Sequence, residues 1–152
     1  MESFAAIKSR YESTLFIISR ERSLNIVIYS YDDQKQRVSP RWLIREKNKN
    51  KIEDLNAFEK LFYSLTWEDN RAYFSRFRFE SKRVLTFEME DGIPSCFTTI
   101  NNIEMKLERI HICFKTNAIK PKITSFMLYG RDSHNEVQSE LIKDCDFHLK
   151  EH

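Results

Sequence analysis

Several groups of residues in this chain have types and spacings that chemistry can use. Cys145, His148 and His152 recur at three- and four-residue steps, so on a C-terminal helix they would face one way and offer a metal ion soft and borderline ligands. No second Cys/His pair stands at zinc-site spacing, and a polar, fraying tail accounts for the same residues. Neither a metal site nor a cofactor is therefore expected. His111 and Cys113 lie two apart and share one face of a strand, where a base can meet a thiol if a third group orients the imidazole. The sequence does not identify that group, and a partly wet histidine beside a buried thiol is the structural account. Asp132-Ser133-His134 holds the residue types of a hydrolase triad. Triad members converge from distant segments, however, and Gly130, Asp132, Ser133 and Asn135 are all turn formers.

The basic residues form the main candidate site. Arg76 and Arg78 would project from one face of a strand beside Phe74, with Arg20, Arg22, Arg41 and Arg45 flanking other sheet segments. Guanidinium groups next to aromatic rings suit phosphates, anionic head groups or stacked bases. On a solvated sheet face, Arg76 and Arg78 would instead pair across strands with Glu88 and Glu90. Trp42, Phe16 and Tyr29 would line a pocket or fill the core. The expected ligand-binding set is Arg76, Arg78, Arg20, Trp42 and Tyr29, with no catalytic residue assigned.

Strands must position these groups. Residues 15–20 and 26–31 are rich in β-branched and aromatic residues around a polar turn at 21–25, which predicts an antiparallel hairpin whose strands are apolar on both faces and so lie centrally or under another layer. Residues 41–46 alternate as a half-exposed strand, and the polar stretch 46–51 reads as a loop. The period changes at 56–65, where Phe58, Leu61, Phe62 and Leu65 recur at helical steps behind an Asn56/Glu59 capping-box spacing. That predicts one helix with these four side chains on the core.

Period two returns at 73–80 and 85–90. Asp91-Gly92 and Asn101-Asn102 predict type I′ hairpin turns. Pro94 places its strand at an edge or makes it begin after the proline, and a register change within 104–115 predicts a bulge near Glu108 and Arg109. Strands at 123–129 and 136–142 complete the expected fold class. It is mainly β, an antiparallel meander barrel or sandwich of about nine strands with one covering α-helix.

Composition agrees with a single folded domain. The 152 residues are 41% hydrophobic and 13% aromatic, with 2 glycines, which excludes disorder and any site built on glycine-rich phosphate loops. A net charge of +2 makes nucleic acid an unlikely partner. Three cysteines and no signal-peptide pattern fit a reduced, cytoplasmic protein, and no apolar run is long enough for a membrane span. The expected division is an N-terminal segment at 1–13, one β-rich domain at 14–143 and a C-terminal tail at 144–152.

The order of signals resembles the domain of unknown function 4833 family over roughly residues 14–143. The resemblance rests on Leu15-Phe16-Ile17, Asn25-Ile26-Val27-Ile28-Tyr29, Trp42, Asp54-Leu55, Ile100-Asn101, Leu107-Glu108-Arg109-Ile110, Pro121-Lys122-Ile123 and Tyr129-Gly130-Arg131-Asp132. It implies an uncharacterised, single-domain, β-rich architecture and carries over no catalytic residue. The functional expectation is a non-catalytic binding domain for a small anionic or amphipathic ligand or a protein segment. The alternatives are a hydrolase-like enzyme using His111 or His134, and nucleic-acid binding through the Arg76/Arg78 face.

Overall fold

The computed structural model describes residues 2–46, 49–79, 83–115, 122–143 and 147–149. A helix, α1 (Phe4–Arg10), opens the chain, capped by Ser3, whose hydroxyl accepts from the Ala6 amide at 3.2 Å. The predicted hairpin follows as β1 (Thr14–Arg20) and β2 (Ile26–Asp32), with Phe16 opposite Tyr29, Ile17 opposite Ile28 and Ile18 opposite Val27. Residues opposite one another in an antiparallel pair share a face. Phe16, Ile18, Val27 and Tyr29 thus enter the main core, while Ile17, Ile26 and Ile28, with Leu43, form a second apolar patch on the other side. Phe4, Ile7 and Tyr11 pack on that patch. Each face of the hairpin has its own cover, which is why both are apolar.

The covering helix is therefore α1, formed by residues that the sequence reading set outside the domain. The predicted helix also exists, as α2 (Ala57–Phe62), and its capping box is complete: Asn56 Oδ1 accepts from the Glu59 amide at 2.8 Å and Glu59 Oε1 from the Asn56 amide at 2.9 Å. Its expected core face holds in part, since Phe62 and Leu65 pack against the main core and Phe58 and Leu61 do not. Phe58 is 68% exposed and Leu61 52%, and Phe62 and Leu65 are half-buried. The buried residues are the flanking Leu55 and Tyr63. A six-residue helix spans under two turns, so the residues entering and leaving it anchor it to the core.

The remaining strands are β3 (Arg37–Glu46), β4 (Lys49–Glu53), β5 (Leu65–Glu68), β6 (Arg71–Phe74), β7 (Phe77–Phe79), β8 (Leu85–Glu90), β9 (Ile93–Ile100), β10 (Ile103–Lys115), β11 (Lys122–Arg131), β12 (Val137–Lys143) and β13 (Phe147–Leu149). Eleven form one sheet in the order β4-β3-β2-β1-β10-β9-β8-β6-β5, with β11 and β12 on the far side of β10. The strand at 73–80 is interrupted at Ser75 and Arg76, and β7 pairs with β13 in a separate two-stranded sheet. Residues 49–51, read as loop, belong to β4, which pairs with β3.

Both I′ turns form, with positive φ at Asp91 (51°), Gly92 (78°), Asn101 (52°) and Asn102 (67°). Pro94 lies opposite Met89 in a stretch of β9 paired with β8, and β10 takes over only from Phe97 onward. The predicted bulge is Glu108, which falls between the pairs Leu107/Gly130 and Arg109/Tyr129.

β10 organises the sheet. One edge carries β11, while the other carries β9 along residues 103–106 and then β1 along residues 109–112. The β1 pairing is parallel, an exception to the otherwise antiparallel sheet. Two wings thus leave the same edge at different heights and close over one core, where Phe74 of β6 stands edge-on to Phe16 and Tyr29 at 6.4 and 6.0 Å between ring centroids. The sheet is mainly β and curled like a sandwich, but it is not a closed barrel, since β4 and β5 end its order. No helix among the described residues is long and apolar enough to cross a membrane.

Two substitutions check which helix covers the sheet. Ile7→Ala should destabilise the protein by about 2–5 kcal/mol in urea unfolding, whereas Phe58→Ala should stay within about 0.5 kcal/mol. A third tests the approach of β9, β10 and β11. A Cβ on Gly130 would stand 2.5 Å from Ile100 Cδ1 and 2.8 Å from the Lys106 carbonyl oxygen, so Gly130→Ala should cost about 1–3 kcal/mol through overpacking.

Candidate functional site

The parallel seam between β1 and β10 sets Ser19 beside His111. One residue further on, Arg20 pairs with Ile112, and the Glu21 amide donates to the Ile112 carbonyl at 3.0 Å. Because side chains alternate along extended backbone, Ser19 of β1 and Glu21 just beyond its end share a face with His111 and Cys113 of β10. The imidazole Nδ1 of His111 lies 2.8 Å from Ser19 Oγ. Ligand atoms of Glu21, His111 and Cys113 lie within 4.8 Å of one another, and Glu21 Oε2 accepts from the Phe114 amide at 3.2 Å.

This face opens on a cleft of about 610 Å³ lined by Glu2, Arg20, Glu21, Arg22, Ser23, Leu24, Ile26, Arg45, Arg109 and His111. Glu2, just before α1, forms ion pairs with Arg45 and Arg10, and its backbone carbonyl accepts from Arg109 Nη2 at 2.7 Å. Arg45 and, less strongly, Arg10 hold the Glu2 carboxyl below its usual range, against an opposing effect of burial. Burial weighs against the charge on Arg109.

Burial also pushes the His111 imidazole below its ordinary value. The Glu21 carboxylate pulls the other way, and Arg109 adds to the downward push. Burial raises the Cys113 thiol, a Ser125 hydrogen bond opposes this, and Glu21 reinforces it. The arrangement thus favours a neutral imidazole beside a neutral thiol, unlike the ion pair of a cysteine hydrolase. A larger cleft of about 800 Å³ lies between the β2–β3 hairpin and Trp67. Asp32, Asp33 and Asp54 are interspersed there with Lys35, Arg37, Arg41 and Lys60, so no single charge prevails.

Of the predicted site residues, the structure brings Arg20, Trp42 and Tyr29 together, Trp42 and Tyr29 in the core and Arg20 half-buried between them and the 610 Å³ cleft that it also lines. The Arg20 guanidinium lies over the rings of Trp42 and Phe114 at 5.6 and 5.9 Å. Tyr29 is fully buried, stacked on Phe16 at 4.4 Å, and its hydroxyl donates to the Tyr63 carbonyl at 2.6 Å. Trp42 meets Tyr63 edge-on at 6.0 Å.

The Arg76/Arg78 face does not form as expected. Arg76 is in the bend after β6, and Arg78 is in β7 opposite His148. Glu88 is opposite Ser95 in the β8–β9 ladder, and Glu90 pairs with Lys106 at 3.0 Å. His134 is exposed in a turn, and Asp132 Oδ1 accepts from its amide at 2.9 Å, so turn chemistry accounts for Asp132-Ser133-His134. Cys145, His152 and the side chain of His148 lie outside the described residues.

A family model, a domain of unknown function (DUF4833), matches residues 16–140. The chain belongs to this family. No curated protein and no solved structure matches it. In this DUF4833 chain the residues that sequence reasoning missed are Ser19, Glu21, Arg109 and Glu2, together with the role of Arg45. Ser19 and Glu21 carry the same two-residue spacing as His111 and Cys113, but only the parallel register joins the pairs.

By NMR, His111 should titrate below the ordinary histidine value of about 6.5. The unfolded chain then holds more protons between the two values, so this contribution to stability is intact above about pH 6.5 and is lost as pH falls through that window. Thiol labelling tests the other partner. Cys113, half-buried, should react in the native protein more slowly than a free thiol, and Cys96, 2% exposed with its thiol raised well above the usual range, only on unfolding.

Proposed function

We propose that this protein is a non-catalytic binding domain that takes a small anionic ligand in the cleft formed by Arg45, Arg109 and His111. The observation that carries the reading is the position of Glu2. The chain's own carboxylate rests on Arg45 and Arg10 while Arg109 holds the adjoining carbonyl, an arrangement of forked donors that also suits a carboxylate or phosphate from solution. Burial disfavours the Arg109 charge, and an arriving anion relieves that penalty. Glu2 keeps about a fifth of its side chain open to solvent, so an incoming anion can exchange with its carboxylate on the same guanidinium groups.

An enzyme using His111 as base is the second reading, favoured by the Ser19 contact. Ser19 is fully buried, however, and its hydroxyl is withdrawn from any substrate. Binding through the Arg76/Arg78 face lacks the continuous strand it required.

A panel of phosphorylated and carboxylated metabolites, titrated calorimetrically at low salt, tests the proposal. Hits should weaken as salt rises. Arg109→Gln and Arg45→Gln should each lower affinity about tenfold or more, the scale of one charge-assisted hydrogen bond, while the Arg76→Ala, Arg78→Ala double variant binds as wild type. Unchanged affinity in both cleft variants would sink the reading.

A further inference from the structure

We propose that Glu21, His111 and Cys113 form a zinc site at the edge of this cleft, with Ser19 as the group that orients the histidine. The ligand chemistry comes first. A thiolate, an imidazole and a carboxylate together match the borderline softness of Zn²⁺, whereas Mg²⁺ and Ca²⁺ take oxygen ligands. The distances also fit. Zinc bonds of 2.0–2.3 Å in tetrahedral geometry place ligand atoms about 3.3–3.8 Å apart. The three donors here stand within 4.8 Å of one another without an ion, so side-chain rotation of about an ångström closes the site.

The scaffold is rigid for the same reason that the residues converge. His111 and Cys113 lie on a strand paired along both edges, and Glu21 continues the parallel ladder through its amide. Two contacts set the ligands in place. Ser19 Oγ engages His111 Nδ1, which holds the ring in place and leaves Nε2 as its remaining ligand atom, the hydrogen-bonded support that metal-binding histidines carry. The Phe114 amide holds one carboxylate oxygen of Glu21 and so orients the other. Binding the ion releases the Cys113 proton; Glu21 and the resulting thiolate then neutralise its two charges, so loading the site takes it from −1 to neutral and adds to the cationic character of the cleft. Three protein ligands leave a fourth position for water or an anion. This last point rests on the anion-binding reading; the metal site itself does not.

The test uses the full chain with any affinity tag removed, treated with chelator and titrated with Co²⁺ and Zn²⁺ separately. Wild type should bind one equivalent of each, with the near-ultraviolet thiolate-to-cobalt charge-transfer band and the intense visible bands of tetrahedral Co²⁺. Cys113→Ser should abolish the charge-transfer band, and His111→Ala and Glu21→Gln should weaken Zn²⁺ binding. Ser19→Ala, which removes only the orienting contact, should weaken it about 10–100-fold.

The Cys145→Ser, His148→Ala, His152→Ala triple variant should bind as wild type. Circular dichroism of each variant checks that it is folded. No stoichiometric Zn²⁺ uptake at micromolar concentrations, or uptake that survives Cys113→Ser and disappears in the C-terminal triple variant, overturns the site. Lost metal uptake with anion binding retained refutes the metal site alone. Retained metal uptake with no anion binding refutes the anion reading and supports the metal site.

Discussion

The edge of β10 that carries β9 and then β1 is the constraint on which the structure depends. One strand edge has one row of donors and acceptors, so two partners share it only in sequence along its length. The bulge at Glu108 sits between the two stretches. It adds a residue on β10 opposite β11, and Glu108 is held there by Arg131, whose Nε donates to it at 2.8 Å. Bulges increase local bending and twist, here at the place where one wing ends and the other begins. Gly130 lies opposite Leu107 at the same level, and its missing side chain admits Ile100 and Met105. The core closes because the sheet turns at this point and brings Phe16 and Tyr29 over Phe74.

The candidate site follows from that geometry. A parallel pair places residues of equal phase side by side, so two unremarkable alternations, Ser19/Glu21 and His111/Cys113, become a four-residue cluster. An antiparallel neighbour would run Glu21 away from Cys113 and dissolve it. The same seam sends Arg20 and Ile112 to the inner face, where Arg20 lies over Trp42 and Phe114. Its guanidinium reaches the buried Tyr63 hydroxyl. Burial raises the Tyr63 phenol, and the nearby Arg20 charge opposes that rise.

Features that depend on neighbours in sequence were legible. Asp91-Gly92 and Asn101-Asn102 need positive φ at consecutive residues and give the I′ turns, the shift of apolar register in 104–115 marks the bulge, and Asn56 with Glu59 marks the capping box. Features that depend on distant partners were not. Alternation carries no strand direction, so the parallel seam left no local trace, and the arginines at 76 and 78 read as one face because nothing local reveals the bend after Phe74. The helix at 56–65 was legible, but which of its residues reach the core was legible only in part. Phe58 and Leu61 have helical spacing but lie exposed on α2, whereas Phe4, Ile7 and Tyr11 have the same spacing behind the Ser3 cap and do the covering. That second signal was readable, but its shortness let it pass as a terminal segment.

The outer face of β1, β2, β3 and β10 then divides into two zones with different physical demands. Where Ile17, Ile28 and Leu43 emerge, the face is apolar and α1 closes it with Ile7. Beyond the helix, the same face continues with Ser19, Glu21, Arg45, Arg109, His111 and Cys113, and the cleft begins. A sheet face that served only to hold the fold would be alternating charges in water or apolar groups under a cover. A half-buried imidazole, thiol and guanidinium gathered at the end of a cover meet neither description. Each carries a desolvation cost, which the proposed metal ion between the ligands and the proposed anion on the arginines would relieve.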